Sequence, residues 1–525
     1  MIIQKQQSPL PSATTASVKT ASVVQRRPGI GKLWQQNIRT LKGRFILLAV
    51  CFVVLVLAQA LFFAHSFQQA SNDLDTINNG SIPSVNAAQT MAQYIEDIDA
   101  KSADYLATAP LTTTVPCAIV GTAFNPGPLT VHDCDDRNIS AEIVLVNQQL
   151  YLAIHNVTYP GEHTATERIT VGVEDYVAQI AIMRHEYTLA AVKSNTRDIH
   201  MQNAHAAYLA ANAILTTAIP TKPTLNAAQK YVYDETNVPP CILNGQKVAS
   251  TAWPLGSIRT NIDCLSNINY DHLYIAYNDT TNFLGYTVVL SIALCVLLCL
   301  LVCSTTGYMA VTTHRIVNTG LTLAVLISII FSIASVTLLA QSSGRHGAFG
   351  QMVKDDYDSI YYAAQLKKDG TNANADESRW LIAMEFGDAT EAAHWQQDWQ
   401  NSTTQVTQLI GRAVANRTWT QEDQPLADMK ANWSRYYQID STIRSTTRGG
   451  NILGAEKIST GISNAAFGNF TVAVDRLSQA NLDHYNITLN ATQGALYLYI
   501  ILSLILFPLI GLSAVWGISR RIRDF

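Results

Sequence analysis

The stretch FILLAVCFVVLVLAQALFFA, residues 45–64, holds no charged side chain, and three more such stretches follow at 283–313, 316–340 and 495–519. About twenty apolar residues rising 1.5 Å each cross a hydrocarbon core of about 30 Å, so each stretch is long enough to span a bilayer. The sequence therefore reads as an all-α membrane protein with four transmembrane helices. Between the spans lie two large segments, 65–282 and 341–494, and short segments remain at 1–44, 314–315 and 520–525.

Charge assigns the sides. Residues 1–44 contain eight Lys or Arg and no Asp or Glu, the inner link carries His314 and Arg315, and the tail contains Arg520, Arg521 and Arg523 against Asp524. Basic residues concentrate on the cytoplasmic side of membrane proteins, which puts all three short segments and both termini inside. These segments sum to +11 in a chain of −4, so the two large segments carry −15 and are expected outside. The segment before Phe45 and the apolar run itself are both too long for a cleaved signal peptide, so the first span is expected to be retained. Residues 1–25, rich in Ser, Thr, Gln and Pro, read as a tail with too little apolar content to fold.

Four cysteines (Cys51, Cys295, Cys299, Cys303) fall in spans, and four (Cys117, Cys134, Cys241, Cys264) fall in the first large segment. An even set outside the membrane suits disulfides. Four cysteines allow three pairings; the local ones, Cys117–Cys134 and Cys241–Cys264, each close a short loop punctuated by Pro or Gly. No C-x-x-C or His-bearing ligand spacing favours zinc, and His132 beside Cys134 reads as a solvated side chain.

Most of both large segments shows the 3.6-residue apolar period of amphipathic helices. Helices are expected over 85–106, 139–155, 167–193, 200–217, 357–367, 376–386, 405–414, 425–439 and 465–489, with Pro83, Pro110, Pro160, Pro220 and Pro223 at bends or ends. The last helix of each segment runs into a span without an intervening Pro. One-sided apolar faces need partners, so two extracytoplasmic helical bundles are the expected solution. The order span, segment, span occurs twice; whether the two segments share a layer stays open.

Catalytic motifs are absent: the chain has no P-loop, G-x-S-x-G, H-E-x-x-H or G-x-G-x-x-G pattern. Neither an enzyme nor a cofactor nor a nucleic-acid partner is expected. Asp376, Glu377, Arg379 and Trp380 form the most provocative polar cluster, a candidate ligand or partner contact; the plainer reading is a helix start with acidic residues favouring its dipole and Arg379 paired nearby. His346, His394 and His484 lack metal-ligand spacing. Trp380, Trp395, Trp399, Trp419 and Trp433 read as bundle core or as a docking surface. Ten N-x-S/T sequons fall in the two large segments: Asn79, Asn138, Asn156, Asn278, Asn401, Asn416, Asn432, Asn469, Asn486 and Asn490. They are candidate glycosylation sites in a host that glycosylates. The spans hold no Asp, Glu, Lys or Arg, which argues against ion-coupled transport. Pro508 and Gly511 mark a packing kink in the fourth span.

Several segments resemble a family of four-span membrane proteins common in actinobacteria. His314-Arg315-Ile316-Val317-Asn318-Thr319-Gly320-Leu321 is similar to that family's pattern at the start of the third span. Tyr208-Leu209-Ala210-Ala211-Asn212-Ala213-Ile214-Leu215 with Ala218-Ile219-Pro220 resembles another of its helices. So do Tyr357-Asp358-Ser359-Ile360 with Ala375-Asp376-Glu377-Ser378-Arg379-Trp380-Leu381, and residues 467–485. Ala375 stands where the family has Gly, Thr319 where Pro is frequent, and the cysteine-clamped loops are not family features. Ile82-Pro83-Ser84 and the helix after it resemble the four-helix-bundle sensor of chemoreceptors, and Arg520-Arg521-Ile522-Arg523 the linker that follows such sensors.

The resemblance implies signalling, because related four-span proteins are transmembrane partners of an amino-acid-binding lipoprotein and pass its state to a cytoplasmic kinase. The expected function is thus a membrane sensor or transducer that detects an extracytoplasmic ligand or binding protein. With so little cytoplasmic sequence, its output is expected to pass to a separate cytoplasmic partner such as a kinase. The alternative is an extracytoplasmic structural, adhesion or filament protein anchored by four helices, and an uncharged pore in a homo-oligomer is a third class.

Overall fold

The computed structural model describes residues 40–107, 114–193, 195–219, 241–243, 246–248, 256–313 and 318–523. Residues 1–39, His314, Arg315, Asp524, Pro110, Pro220 and Pro223 lie outside the described residues, as does the side chain of Cys241.

Among its described residues the chain is all-α apart from two short hairpins. Its helices are α1 (Leu41–Asp75), α2 (Ile82–Ala107), α3 (Val131–His155), α4 (Glu162–Val192), α5 (Arg197–Thr216), α6 (Ile258–Thr313), α7 (Thr319–Ser342), α8 (Asp358–Glu385), α9 (Ala389–Ala415), α10 (Asp423–Arg448), α11 (Ile452–Ile458) and α12 (Asn464–Ile522). Strands β1 (Thr114–Cys117) and β2 (Gly127–Thr130) pair antiparallel, as do β3 (Cys241–Leu243) and β4 (Gln246–Val248). Four helical stretches, Lys42–Ala107, Ile258–Thr312, Thr319–Ser342 and Ile452–Arg520, are long and apolar enough to cross a membrane, which makes this a multi-pass membrane protein. Their large apolar side chains, Leu61, Leu300, Ile330 and Leu504 among them, face outward, as lipid requires.

Two compact units are present. Of the described residues, the smaller comprises those up to Leu57, those within Leu298–Leu326 and those from Pro508 onward; the larger comprises those within Ala58–Leu297 and Ile327–Phe507. In the smaller unit α7 and α12 meet backbone to backbone. A Cβ on Gly320 would lie 2.6 Å from the carbonyl oxygen of Ser513, and one on Gly517 would lie 2.8 Å from the amide nitrogen of Leu321. Asn318 Nδ2 donates to Gly517 O at 2.9 Å across the same contact. Small residues let membrane helices approach this closely.

In the larger unit the expected helices at 357–367 and 376–386 are one helix, α8. The intervening Gly370-Thr-Asn-Ala-Asn reads as a break, but Gly370 faces the aromatic rings of α12. A Cβ there would sit 2.9 Å from Phe470 and 3.2 Å from Phe467, so packing overrides the weak local helix propensity. The cysteine-clamped loop is the β1–β2 hairpin. It ends at Thr130, whose side chain caps α3 by accepting from Asp133 N at 3.1 Å.

The two interspan segments are built on one plan, matched residue by residue. Asn156 Nδ2 donates to Gly80 O and Ser84 Oγ, both at 2.7 Å; Asn416 Nδ2 donates to Asp355 O (3.1 Å) and Ser359 Oγ (2.9 Å). Glu162 Oε2 accepts from the backbone N–H groups of Thr158 (2.5 Å) and Tyr159 (2.6 Å), and its Oε1 accepts from Asn269 Nδ2 at 2.5 Å. Glu422 does the same with Thr418 (2.7 Å), Trp419 (2.8 Å) and Asn481 (2.9 Å). Tyr159 stacks on His272 and hydrogen-bonds Ser81; Trp419 stacks on His484 and donates to Asp356.

This register equates α2 with α8, α3 with α9, α4 with α10, and the first turns of α6 with the corresponding turns of α12. Core positions follow it: Val146 and Val406, Leu150 and Ile410, Tyr176 and Tyr436 are buried in pairs. Both repeats begin with a π-helical turn, Thr76–Ser81 and Gln351–Tyr357. The first adds the disulfide hairpin and α5. The two repeats share a layer, for α2 packs along α8, and Ile382 of α8 lies in the apolar core of the first repeat.

Candidate functional site

The apolar stripe of α2 is interrupted by carboxylates. Glu96, Asp99 and Asp104 sit among Ile95, Ile98, Ser102 and Leu106 on the buried face, so they enter the core where α2 meets α8. A buried charge is tolerated only when paired and hydrogen-bonded, and α8 supplies the partner. Arg379, 1% exposed, donates Nε to Asp99 Oδ2 at 2.8 Å, and its Nη2 contacts the same oxygen. Its Nη1 reaches Asp376 Oδ1 at 2.5 Å, and its guanidinium lies 5.0 Å from the Trp395 ring centroid. Asp99 also accepts from Tyr176, Tyr208 and Asn212, which brings α4 and α5 into the network.

A second ion pair lies beside it. Arg259, at the start of α6, holds Glu96 through two hydrogen bonds of 2.6 and 2.7 Å and reaches Asn372 at 2.9 Å. Ser378 Oγ donates to Asp104 at 2.5 Å. The α2–α8 seam thus carries a polar, directional layer beside apolar packing such as that of Ile382 in the core of the first repeat.

The four residues singled out from sequence all fall in this core, in the middle of α8 and not at a helix start. Asp376 accepts from Ser402 (3.1 Å) as well as Arg379; burial pushes its carboxyl up to about 7 against the pull of the guanidinium. Glu377 accepts from Ser459 (2.7 Å) and Ser463 (3.1 Å), and burial, then Asp440, push it up to about 8. Trp380 lies under Arg444, which is itself paired with Asp440 at 2.7 Å and also lies over Trp399. Trp395, Trp399 and Trp433 are buried as well, whereas Trp419 is the half-buried aromatic of the second repeat's lock.

Two polar clefts flank the seam at equivalent places in the two repeats. The larger, about 700 Å³, is lined by Glu96, Arg259 and Asn372 with Lys368 and Asp398. The smaller, about 260 Å³, is lined by Asp97, Lys101, Asp104, Asp135, Thr371 and Asn374. Thr371 stands where the other repeat has Glu96, and Asp97 where it has Asn372. Lys101 bridges Asp97 (2.5 Å) and Glu142 (2.9 Å).

Cys117 and Cys134 are disulfide-bonded with Cα atoms 5.7 Å apart. Cys264 is disulfide-bonded too. His132 is not a solvated side chain; it stacks on Tyr105 at 3.9 Å and pairs with its carbonyl. His484 pairs with Asp356 (2.9 Å), while His346 and His394 are exposed. Among the described residues no group of three His, Cys, Asp or Glu side chains is placed to hold a metal.

The sequons divide by environment. Asn156 and Asn416 use Nδ2, the atom a glycan would occupy, in the repeat locks, and Asn138 is buried, donating to Cys134 Sγ. Asn79 and Asn401 are among the exposed ones.

Sequence reasoning missed Asp99, Glu96, Arg259, Tyr208 and Asn212 as parts of the site. The available signal was a carboxylate at a core position of an amphipathic helix, and the twice-occurring N-x-T-aromatic-x-x-E string. No family model, no curated protein and no solved structure matches this chain.

Proposed function

We propose that this protein is a multi-pass membrane sensor or transducer whose interspan repeats face outward, and that it hands its signal to a separate cytoplasmic protein. The observation that carries the reading is the Arg379–Asp99 seam: two repeats held together by a buried, directional ionic layer, each continuing without a break into a membrane span through α6 or α12. Ridge-and-groove contacts between apolar faces tolerate sliding, but an ionic layer has discrete registers, and shifts of about 1–2 Å between such registers are the usual scale of helix signalling. A ligand or a loaded binding protein that prefers one register biases the whole layer. The basic excess in residues 1–44 supports cytoplasmic placement of the output side, and the resemblance to partners of an amino-acid-binding lipoprotein supports the same reading.

The test is crosslinking in native membranes followed by identification of what is bound. A cytoplasmic protein recovered with the intact chain, and recovered in altered amount with R379M, supports transduction. If no cytoplasmic protein is ever recovered and the purified chain assembles into ordered arrays instead, the protein is a scaffold and the sensor reading fails.

A further inference from the structure

The repeat register places one pair of positions in two different chemical states. In the second repeat, Arg379 of α8 lies over Trp395 of α9, a cation against an aromatic face. The matching positions of the first repeat are Asp104 of α2 and Asp135 of α3, two carboxylates that both line the smaller cleft. Where one repeat carries its own cation, the other carries two acids.

Asp135 is 8% exposed and forms no ion pair among the described residues; its Oδ2 has no hydrogen-bond partner. Asn374, 7% exposed, lines the same cleft with its Oδ1 equally unpartnered. Buried acceptors without donors are costly, and more so when the group is charged. Burial, and then the neighbouring Asp104, push the Asp135 carboxyl well above the ordinary range, which an added cation would reverse. Lys101, in the same cleft, pulls the Asp135 carboxyl down only in part, because its ammonium pairs directly with Asp97 and Glu142. At about 260 Å³ the cleft has room for a small organic head and not for a peptide.

We propose that the cleft lined by Asp104, Asp135 and Asn374 binds a small molecule through a primary ammonium group, which supplies the cation that Arg379 supplies in the other repeat. The ammonium donates to Asp135 Oδ2 and Asn374 Oδ1, and its three N–H donors suit a ring of oxygen acceptors better than a metal ion does in a site with no three-ligand group. This names a ligand class for the sensor proposed above and takes its functional meaning from that reading, but binding itself is measured on the purified chain with no partner present.

The experiment is thermal unfolding of the detergent-solubilised full chain with ethylamine, tetramethylammonium or ethanol, each titrated to 100-fold above the first concentration that gives a response. Ethylamine is expected to raise the midpoint by several degrees in a saturable manner, with D135N abolishing the shift. Equal shifts from tetramethylammonium, which has the charge but no N–H donor, or no saturable shift from ethylamine, would overturn the proposal. An unchanged ethylamine shift in folded D135N would overturn it as well. Should D135N fail to fold, the contrast between ethylamine and tetramethylammonium on the unaltered chain still decides. A positive result here with no cytoplasmic partner recovered would refute transduction and leave the binding site standing.

Discussion

Arg379 and Asp99, 280 residues apart in the chain, form a fully buried ion pair that joins the two repeats. Arg379 also pairs with Asp376 of its own helix, but the ion-pair partner of Asp99 lies in the other repeat, so the pair makes the folding of one repeat depend on the other. Removing one partner strands a charge in the core, which costs about 3–5 kcal/mol, whereas replacing both with apolar groups often costs far less. R379M and D99L are each expected to lower the unfolding midpoint strongly. The double variant is expected to lose clearly less than the sum, although Tyr176, Tyr208 and Asn212 then lack their acceptor. A double-mutant cycle on the purified chain reads the coupling, and strict additivity would show that the pair does not link the repeats.

The two Glu locks carry a parallel expectation. E162A and E422A each leave two backbone N–H groups without their acceptor and remove one of the two hydrogen bonds made by an Asn amide, an expected loss of about 2–4 kcal/mol. Since the locks occupy matching positions, the two losses should be of similar size. A large effect at one and none at the other, measured by chemical unfolding, would mean that the repeats match in geometry and not in energetics.

Stability should depend on pH through Glu377. Its folded-state carboxyl is pushed up to about 8, from an ordinary value of 4.5, by burial and by Asp440. The folded chain therefore holds this proton more tightly than the unfolded chain. The contribution is fully present below about pH 4.5 and is lost as pH rises toward about 8. Midpoints recorded from pH 5 to 9 are expected to fall with pH, and E377Q, which stays neutral, should flatten that fall. An equally steep profile in E377Q would assign the dependence to other groups.

The four spans and the helical character were legible because lipid forbids charge in a span and amphipathic helices repeat every 3.6 residues. The seam was not. Periodicity locates a buried face but does not tell a core aspartate from a surface one without its partner, and Asp99 finds its partner in the other repeat. Asp376, Glu377, Arg379 and Trp380 stood out by composition, yet their reading as a helix start failed because Gly370 and Asn374 resemble a break when Phe467 and Phe470 are not in view. The repeat stayed hidden for a related reason. Asn156-Val157-Thr158 and Asn416-Arg417-Thr418 each read as a sequon, and the disulfide hairpin and α5 shift the spacing between matching elements.

The Asn318-Thr319-Gly320-Leu321 string has a physical reason independent of any resemblance. Gly320 and Gly517 bring the backbones of α7 and α12 into contact, and Asn318 ties them by donating to Gly517 O. A side chain on either glycine meets backbone atoms, which cannot rotate away as a flexible side chain could. G320V and G517V are expected to separate the two helices at a cost of about 1–3 kcal/mol or more, the range for overpacking. N318A removes only the hydrogen bond and should cost about 0.5–1.5 kcal/mol. The measurement is disulfide trapping between cysteines introduced at Leu321 and Ser513, which should form readily in the parent chain and poorly in G320V. Because this contact lies in the smaller unit and the Arg379 seam in the larger, G320V should leave the shift caused by R379M unchanged if the units unfold independently. Trapping that is as efficient in G320V as in the parent would show that valine is accommodated, and the close approach would then not require glycine.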